Sequence, residues 1–234
     1  MGLYIILMGV QGAGKGVQAG FIQQEYGIPH VSTGDLFRAM KSREDDLARR
    51  VQDLMSKGLL IPDDVTNDIV RDRLEQPDAA KGVILDGYPR SRNQAEWLQA
   101  YLKGRGEKLT RVLLLELDLF EAFKRAFGRV STAQGQSYNI YSNAEGMEWE
   151  FVDHPEKAYP PQLNAKLAGT DNVLIRRADD ANAHSIIKRI DTYLETTMPL
   201  VEFFEGEGLV ARVDASGSIE SVSQQIKQVI DAAR

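Results

Sequence analysis

The fold of this chain is decided near its start by the stretch Leu3-Tyr-Ile-Ile-Leu-Met8, which runs directly into Gly9-Val-Gln-Gly12-Ala-Gly14-Lys15-Gly16. A continuous apolar run that contains β-branched residues and stops at glycine is typical of a strand buried on both faces of a parallel sheet. We expect a helix to follow the glycines. The stretch therefore predicts a strand, a glycine-rich loop and a helix, in that order.

Short apolar runs recur further along the chain, and each is flanked by long segments whose apolar residues have helical spacing. The runs are residues 82–85, 111–117 and 208–213, and the helical segments include 91–103, 119–129 and 218–234. This alternation predicts an α/β fold in which helices flank a parallel sheet.

Two stretches interrupt the alternation. Residues 33–76 follow a short strand expected at 28–32 and are mostly helical in pattern, with a helix end at Gly58 and a new helix start at Pro62. Residues 131–169 have no helical period and carry aromatic and apolar residues at alternate positions, as in short antiparallel strands. We predict a helical insert in the first stretch and a small second lobe, or lid, in the other.

Composition excludes several classes of function. The chain has 234 residues, 43% of them hydrophobic, which is enough for one large domain or two small ones. It has no cysteine, so it has no disulfide, thiolate zinc site, iron–sulfur cluster or thiol nucleophile. A net charge of -6 argues against nucleic-acid binding through a general positive field. The apolar start is far shorter than the roughly 18 residues that span a bilayer, so we expect a cytoplasmic protein without membrane contact.

The glycine-rich loop fits the GxxxxGK part of the phosphate-binding loop, with Gly9, Gly14 and Lys15 at the fixed positions. Glycines allow consecutive backbone N–H groups to turn toward phosphate oxygens, and the helix N-terminus adds partial positive charge. Lys15 supplies a full charge near a transferring phosphate. Gly16 stands where a Ser or Thr would ligate magnesium directly, so the loop departs from the general motif.

The loop GVQGAGKGVQ at 9–18 resembles the GxPGAGKGTQ loop of adenylate kinases and related nucleoside-monophosphate kinases, except that Gln11 replaces proline and Val17 replaces threonine. Other segments are similar to motifs of the same family in the same order. They are HVSTGDLFR at 30–38, DGYPR at 86–90 with Gln94, Arg125 with Gly128-Arg129, Arg177-Ala-Asp179-Asp180, Arg189, and TMPL at 197–200.

The resemblance implies a P-loop NTPase-type core with two additions. The core is expected to comprise residues 1–31, 62–127 and 170–234, the monophosphate-binding insert 32–61, and the lid 128–169. It also implies reversible transfer of a phosphoryl group from ATP–Mg²⁺ to AMP, giving two ADP. We expect a monomer, and no structural zinc, since the lid lacks the cysteines with which some relatives bind that metal. An apolar cluster of Tyr138, Tyr141, Trp149, Phe151 and Tyr159 is expected in place of the zinc site.

The resemblance assigns roles to the matching residues. The ATP side is expected to include Gly12, Ala13, Gly14, Lys15, Gly16, Val17, Arg125 and Arg129. The AMP side is expected to include Thr33, Arg38, Leu59, Leu60, Ile61, Gly87, Arg90, Gln94, Arg177 and Arg189. The catalytic set is expected to be Lys15, Asp86, Arg90, Arg129, Arg177 and Arg189, with Asp86 holding Mg²⁺ through water.

The chemistry of these residue types suits the implied reaction. Arginine pairs bidentately with phosphate oxygens and keeps its proton, so several arginines can offset the repulsion between two nucleotides. No general base is required, because a phosphate monoester is already an anionic nucleophile. Some assignments stay open: Lys188 competes with Arg189, Arg176 with Arg177, and Asp179 or Asp180 could instead cap the following helix, Asp180 being the better candidate.

Two other functions remain to be weighed. A pyrimidine monophosphate kinase would have the same loop, but Thr33 and the long lid favour the adenylate branch, since uridylate and cytidylate relatives commonly have alanine at that position. A non-catalytic nucleotide sensor would also retain the loop. Lys15, Asp86 and the arginines argue against a sensor, whereas Gln11 and Val17 leave it open.

Overall fold

A computed structural model describes residues 2–57, 61–154, 161–176, 180 and 182–234. Two compact units are formed, the first by Met1–Gly9, Gly14–Glu116 and Leu194–Arg234 and the second by Val10–Ala13 and Leu117–Tyr193. The elements in chain order are β1 (Leu3–Gly9), α1 (Lys15–Tyr26), β2 (His30–Ser32), α2 (Thr33–Met40), α3 (Asp46–Ser56), α4 (Asp63–Leu74), β3 (Gly82–Asp86), α5 (Arg92–Gly104), β4 (Arg111–Glu116), α6 (Leu119–Phe127), β5 (Arg129–Ser131), β6 (Ser137–Asn139), β7 (Met147–Val152), β8 (Gln162–Leu167), α7 (Ala183–Thr192), α8 (Met198–Gly206), β9 (Val210–Asp214) and α9 (Ile219–Asp231).

The first unit is built on a five-stranded sheet in the order β2-β3-β1-β4-β9. Every neighbouring pair is parallel, and β1 is central, with Leu3 opposite Gly82 and Ile5 opposite Arg111. The predicted α/β fold with a parallel sheet is confirmed. Because the strands are parallel, the carboxyl ends of β1, β2 and β3 lie side by side along one edge, which is where α/β proteins bind ligands.

Both faces of the central strand are covered by helices. Tyr4, Ile6 and Met8 of β1 belong to one buried cluster that also contains side chains of α4, α5 and α8. Ile5 and Leu7, which alternate with them, are also buried, and α1 and α9 pack together and contact strands of the sheet. A strand covered on both faces must be apolar at every position, and this explains the uninterrupted run at 3–8.

The helical insert has a core of its own. Met40, Ala48, Val51, Val65 and Ile69 form a buried cluster between α2, α3 and α4. Helix α3 starts at a cap that the sequence provides, since Asp45 accepts a hydrogen bond from the N–H of Ala48 at 3.0 Å. The helix expected to begin after Pro62 is α4. The helix end expected at Gly58 lies outside the described residues.

The second unit contains the predicted antiparallel strands, with β5 pairing β6 and β7 pairing β8. Its buried cluster is aliphatic rather than aromatic: Val130, Ile140, Met147, Leu163, Ala165 and Leu174. The buried cluster therefore differs from the expected aromatic one, although the rings of Trp149 and Phe151 are in edge-to-face contact with centroids 5.7 Å apart. Tyr138 packs against the aliphatic core, whereas Tyr141, Trp149 and Phe151 are exposed and Tyr159 lies outside the described residues. Smaller aliphatic side chains fill the interior of this unit, and the large rings of Trp149 and Phe151 are left partly exposed.

The structure moves some predicted boundaries by a few residues. The helix expected at 119–129 ends at Phe127, and Arg129 begins β5. The strand expected from 208 begins at Val210, after a turn in which Gly208 has a φ of 69°. Among the described residues, no helix has both the length and the apolar character needed to cross a membrane.

Candidate active site

The glycine-rich loop connects β1 to α1, as expected. Gly14 is the N-cap residue of α1, and the helix begins at Lys15. The Lys15 ammonium turns back along the loop and donates to the carbonyl oxygen of Gly9 at 2.7 Å. Gly16 and Val17 follow on the exposed side of the first helical turn, with half of the Val17 surface accessible. The cationic side chain thus lies beside the loop backbone at the end of the central strand.

Gly12 occupies a position in the loop that only glycine fits. Its φ is 96°, and a Cβ atom built on it would lie 2.6 Å from the carbonyl oxygen of Ala122. Neighbouring Ala13 is buried and its N–H donates to Val10 O at 3.2 Å. A side chain at Gly12 would therefore have to displace the backbone of α6, which is a physical reason for glycine there.

Asp86 ends β3 at the same sheet edge, next to His30 of β2. The His30 Nε2 lies 3.5 Å from the Asp86 carboxylate. Within the described residues, no group of three or more His, Cys, Asp or Glu is arranged to hold a metal ion. One carboxylate at the edge suits Mg²⁺ that brings most of its oxygen ligands as phosphate and water, since Mg²⁺ is commonly bound by one or two carboxylates and substrate phosphates.

Thr33, Gly87 and Arg90 form one group at the ends of β2 and β3. Thr33 is buried, and its hydroxyl donates to the carbonyl oxygen of Gly87 at 3.0 Å. Arg90 Nε donates to the same oxygen at 2.8 Å, and its side chain is exposed. Gly87 has a φ of 77°, and a Cβ there would lie 2.8 Å from Thr33 Oγ1. One backbone carbonyl therefore orients both the threonine and the arginine.

Gln94 is buried and fixes the segment that precedes α5. Its Oε1 accepts from the N–H of Arg90 at 2.8 Å, and its Nε2 donates to Asp63 Oδ1 at 2.6 Å. Asp63 Oδ2 also accepts from the hydroxyl of Ser91, the N-cap residue of α5, at 2.6 Å. The sequence pattern predicted a helix start at Pro62 and assigned no role to Asp63 beside it. Its carboxylate links α4 to α5, and nothing in its local pattern indicated that contact.

Tyr88 adds a buried polar contact to this segment. Its hydroxyl donates to Asn67 Oδ1 at 2.6 Å, and only about 1% of the residue is exposed. Burial raises the pKa of the Tyr88 phenol well above its ordinary value, and the nearby Asp63 carboxylate acts in the same direction. The phenol therefore stays protonated and serves as a donor.

Arg38 lies on the exposed face of α2 and pairs with Asp35, one turn earlier on the same helix. Both side chains are about two-thirds exposed. The hydrogen bond from Arg38 is the main cause that lowers the pKa of Asp35, whereas partial burial opposes it. Ile61 packs against the insert core, and Leu59 and Leu60 lie outside the described residues.

In the second unit, Arg129 and Arg189 both lie beside Asp180. Arg129 donates to Asp180 Oδ2 through Nε at 2.8 Å and Nη2 at 2.6 Å, and Arg189 Nη1 is 3.5 Å from Oδ1. Asp180 is inaccessible to solvent. The expectation that it caps the next helix is wrong, because Asn182 is the N-cap residue of α7 and accepts from His184 N at 2.8 Å. A buried carboxylate is costly unless cationic groups surround it. The N-terminus of α7 does not require Asp180, because Asn182 caps it.

The remaining arginine candidates lie in the same unit. Arg125 is in the last turn of α6, and Lys188 is exposed on α7. Arg176 donates to the carbonyl oxygen of Phe127 at 2.6 Å, and its guanidinium lies 4.4 Å from the centre of the Phe127 ring. Burial lowers the pKa of Arg176, and the charge of Asp180 opposes this. Arg177 and Asp179 lie outside the described residues.

Comparison with known proteins identifies the family. Residues 7–209 match the family model described as adenylate kinase. The chain is 37% identical over 227 residues to an adenylate kinase of Caldanaerobacter subterraneus subsp. tengcongensis, with 97% of this chain and 95% of the relative covered. It is 38% identical over 229 residues to that of Anaeromyxobacter sp. (strain Fw109-5), covering 97% and 99%, and 39% identical over 227 residues to that of Thermoanaerobacter sp. (strain X514), covering 97% of each. With this similarity extending over nearly its whole length, the chain belongs to the adenylate kinase family.

Proposed function

We propose that this protein catalyses reversible phosphoryl transfer from ATP–Mg²⁺ to AMP, giving two ADP. The observation that carries the proposal is the sheet edge of the first unit, where three adjacent strands end in candidate residues. The loop with Lys15 follows β1, Thr33 follows β2, and Asp86 with Gly87 ends β3. Phosphoryl transfer needs positioning and charge neutralisation more than acid–base chemistry, and this edge offers both.

Lys15 and the arginines supply the positive charge. When a triphosphate binds, the Lys15 ammonium exchanges the carbonyl of Gly9 for a phosphate oxygen, a charged and therefore stronger acceptor. Arg38 and Arg90 hold the monophosphate, and Arg125, Arg129, Arg177 and Arg189 act on the triphosphate and the transferring group. Arg189 is preferred to Lys188 because its guanidinium lies beside Asp180, whereas Lys188 faces solvent. Mg²⁺, held at Asp86 through water, neutralises charge on the ATP phosphates.

The adenine of AMP is selected by Thr33, the hydrophobic stretch Leu59-Leu60-Ile61, and Gln94. Thr33 favours binding of AMP over a pyrimidine monophosphate. Its hydroxyl is fixed at the sheet edge by the hydrogen bond that it donates to the carbonyl oxygen of Gly87. The pyrimidine kinase and the nucleotide sensor are not favoured, since the matched family and the relatives described above are named adenylate kinase. The division into core, insert 32–61 and lid 128–169, the monomeric state, the absence of zinc and the cytoplasmic location remain predictions.

A coupled assay tests the function. The purified protein is given ATP–Mg²⁺ with AMP, UMP, CMP or GMP, and nucleoside diphosphate formation is followed. Lys15→Met, purified in the same way, measures any kinase activity carried over from the expression host. Of the four monophosphates, only AMP is expected to be turned over rapidly in the presence of ATP–Mg²⁺. Preferential turnover with UMP or CMP would make the protein a pyrimidine kinase, and nucleotide binding without turnover would make it a sensor.

The lid is tested separately by hydrogen exchange. A bisubstrate analogue that joins two adenosines through phosphates is expected to slow exchange of backbone amides between Tyr138 and Phe151. The same analogue with Lys15→Met, which weakens the phosphate contact, is expected to give less protection at equal concentration. Identical exchange with and without the analogue would show that residues 128–169 do not respond to nucleotide.

A further inference from the structure

Gln11 contacts the carboxylate that holds two candidate arginines. Its Nε2 donates to Asp180 Oδ1 at 2.5 Å, closer than Arg189 Nη1, which lies 3.5 Å from the same oxygen. The other oxygen, Oδ2, accepts both hydrogen bonds from Arg129. The carboxylate is thus divided, with the Gln11 amide and, at a longer distance, Arg189 on one oxygen and Arg129 on the other.

This division has a physical consequence because Asp180 is wholly buried. An ionised carboxylate only accepts hydrogen bonds, and a buried oxygen that loses its donor is costly. Without the Gln11 amide, Arg189, already 3.5 Å from Oδ1, would have to move closer, or Arg129 would have to turn from Oδ2. Gln11 therefore occupies one oxygen of the carboxylate whose other oxygen holds Arg129.

The contact with Asp180 is the hydrogen bond that positions the Gln11 side chain. Its Oε1 is buried and accepts no hydrogen bond within the described residues, so the amide is placed by its contact with Asp180. The loop that this chain resembles has proline here, which has no side-chain donor. The contact between this loop position and Asp180 is therefore a feature of the present chain, which a proline loop would lack.

We propose that Gln11 is a positioning residue that orients Arg129 and Arg189 through Asp180 for the phosphoryl-transfer step. The inference rests on the proposed function. A guanidinium stabilises the transferring group only when its N–H bonds point to where charge develops, so a rotation of Arg129 lowers the rate more than it lowers ground-state binding.

The test is Gln11→Leu, which removes the amide and keeps a side chain of similar size. We expect kcat to fall about tenfold with KM for AMP changed less than about twofold, since the lost contact acts through the arginines. Gln136→Leu, at an exposed glutamine in the lid segment, is the matched control and is expected to keep the kcat of the unmodified protein. If Gln11→Leu does not fold, Gln11→Pro takes its place, because it also removes the amide and introduces the residue of the family loop. The same changes in kcat and in KM for AMP are then expected.

A double-mutant cycle separates positioning from a general loop defect. In an Arg129→Ala/Arg189→Ala background, Gln11→Leu is expected to change kcat by less than about twofold, because both groups that it orients are gone. An equal reduction in both backgrounds, or an unchanged kcat in the single variant, would refute the role of Gln11. The Nε–H resonance of Arg129 in NMR spectra is expected to shift in Gln11→Leu and not in Gln136→Leu. That readout requires no turnover, whereas an unmodified protein that forms no ADP from ATP and AMP would refute the proposed function instead.

Discussion

Arg38 and Arg90 of the first unit lie against solvent, whereas Arg129 of the second lies against a carboxylate that solvent does not reach. Arg38 pairs with the exposed Asp35, and Arg90 is held by a single backbone carbonyl. Arg129 makes two hydrogen bonds to the buried Asp180. Exposed pairs contribute little to stability and are exchanged at little cost, whereas a buried pair fixes its guanidinium and is costly to break.

The comparison suggests two ways of preparing a phosphate site. Under the proposed function, Arg38 and Arg90 can release their present partners when a monophosphate binds, because phosphate and water replace those partners. Arg129 is oriented in advance by Asp180, so less reorganisation remains for the reaction itself.

The largest effect is expected at Lys15, which is proposed to contact the transferring phosphate directly. Lys15→Met is expected to lower kcat on the order of 10²-fold or more, with a melting temperature close to that of the unmodified protein. Turnover and thermal melts measure the two properties. Lys103→Met, at an exposed lysine of α5, is the control. If either Arg38→Ala or Arg129→Ala reduced kcat more than Lys15→Met, the prediction that Lys15 contributes most to turnover would be wrong.

The direct test of the comparison is the loss of folding stability when each of the two aspartates is removed. Asp180→Ala leaves two arginines without their buried counter-charge and is expected to lower the free energy of unfolding by about 3 kcal/mol. Asp35→Ala removes an exposed pair and is expected to cost about 0–1 kcal/mol. Urea unfolding of both variants gives the two values. Equal losses would mean that burial does not distinguish these sites.

A smaller effect is expected on base selection by the first unit. Thr33→Ala is expected to lower the ratio of kcat/KM for AMP to that for UMP about tenfold, the value of roughly one hydrogen bond. Thr33→Ser keeps the hydroxyl and is expected to retain most of the preference, while Thr33→Val keeps the shape and is expected to lose it. If all three variants kept the original ratio, Thr33 would only anchor Gly87.

The smallest expected effect is the acid dependence of the exposed pair. Because Arg38 lowers the pKa of Asp35 in the folded state, the ionised carboxylate favours folding. Its contribution is present above the unfolded-state pKa of about 3.9 and is lost as the pH falls through the lower folded-state value. Thermal melts between about pH 2 and pH 7 are expected to show a stability difference between the unmodified protein and Asp35→Asn at neutral pH that disappears at the acidic end. A difference independent of pH would assign the effect to something other than this charge.

The sequence alone determined the architecture and the chemical class of this protein. The apolar run at 3–8 and the alternation of short strands and helices fixed a parallel sheet, because only strands covered on both faces are apolar throughout. Gly9, Gly14 and Lys15 located the loop, and the ordered motifs around Thr33, Arg90 and Arg129 indicated the family, since their spacing reflects chemistry that is local in the chain.

Which polar groups share a partner depends on the folded chain and not on the local sequence. Gln11 and Asp180, and likewise Asp63 and Gln94, are far apart in sequence and meet through folding. Their pairing depends on which side chains are buried together, a property that neither periodicity nor local motif encodes. For the same reason the second unit has an aliphatic core and Asp180 binds arginines instead of capping α7: the cost of burying a charge or a large ring is set by the volume and partners that the folded chain provides.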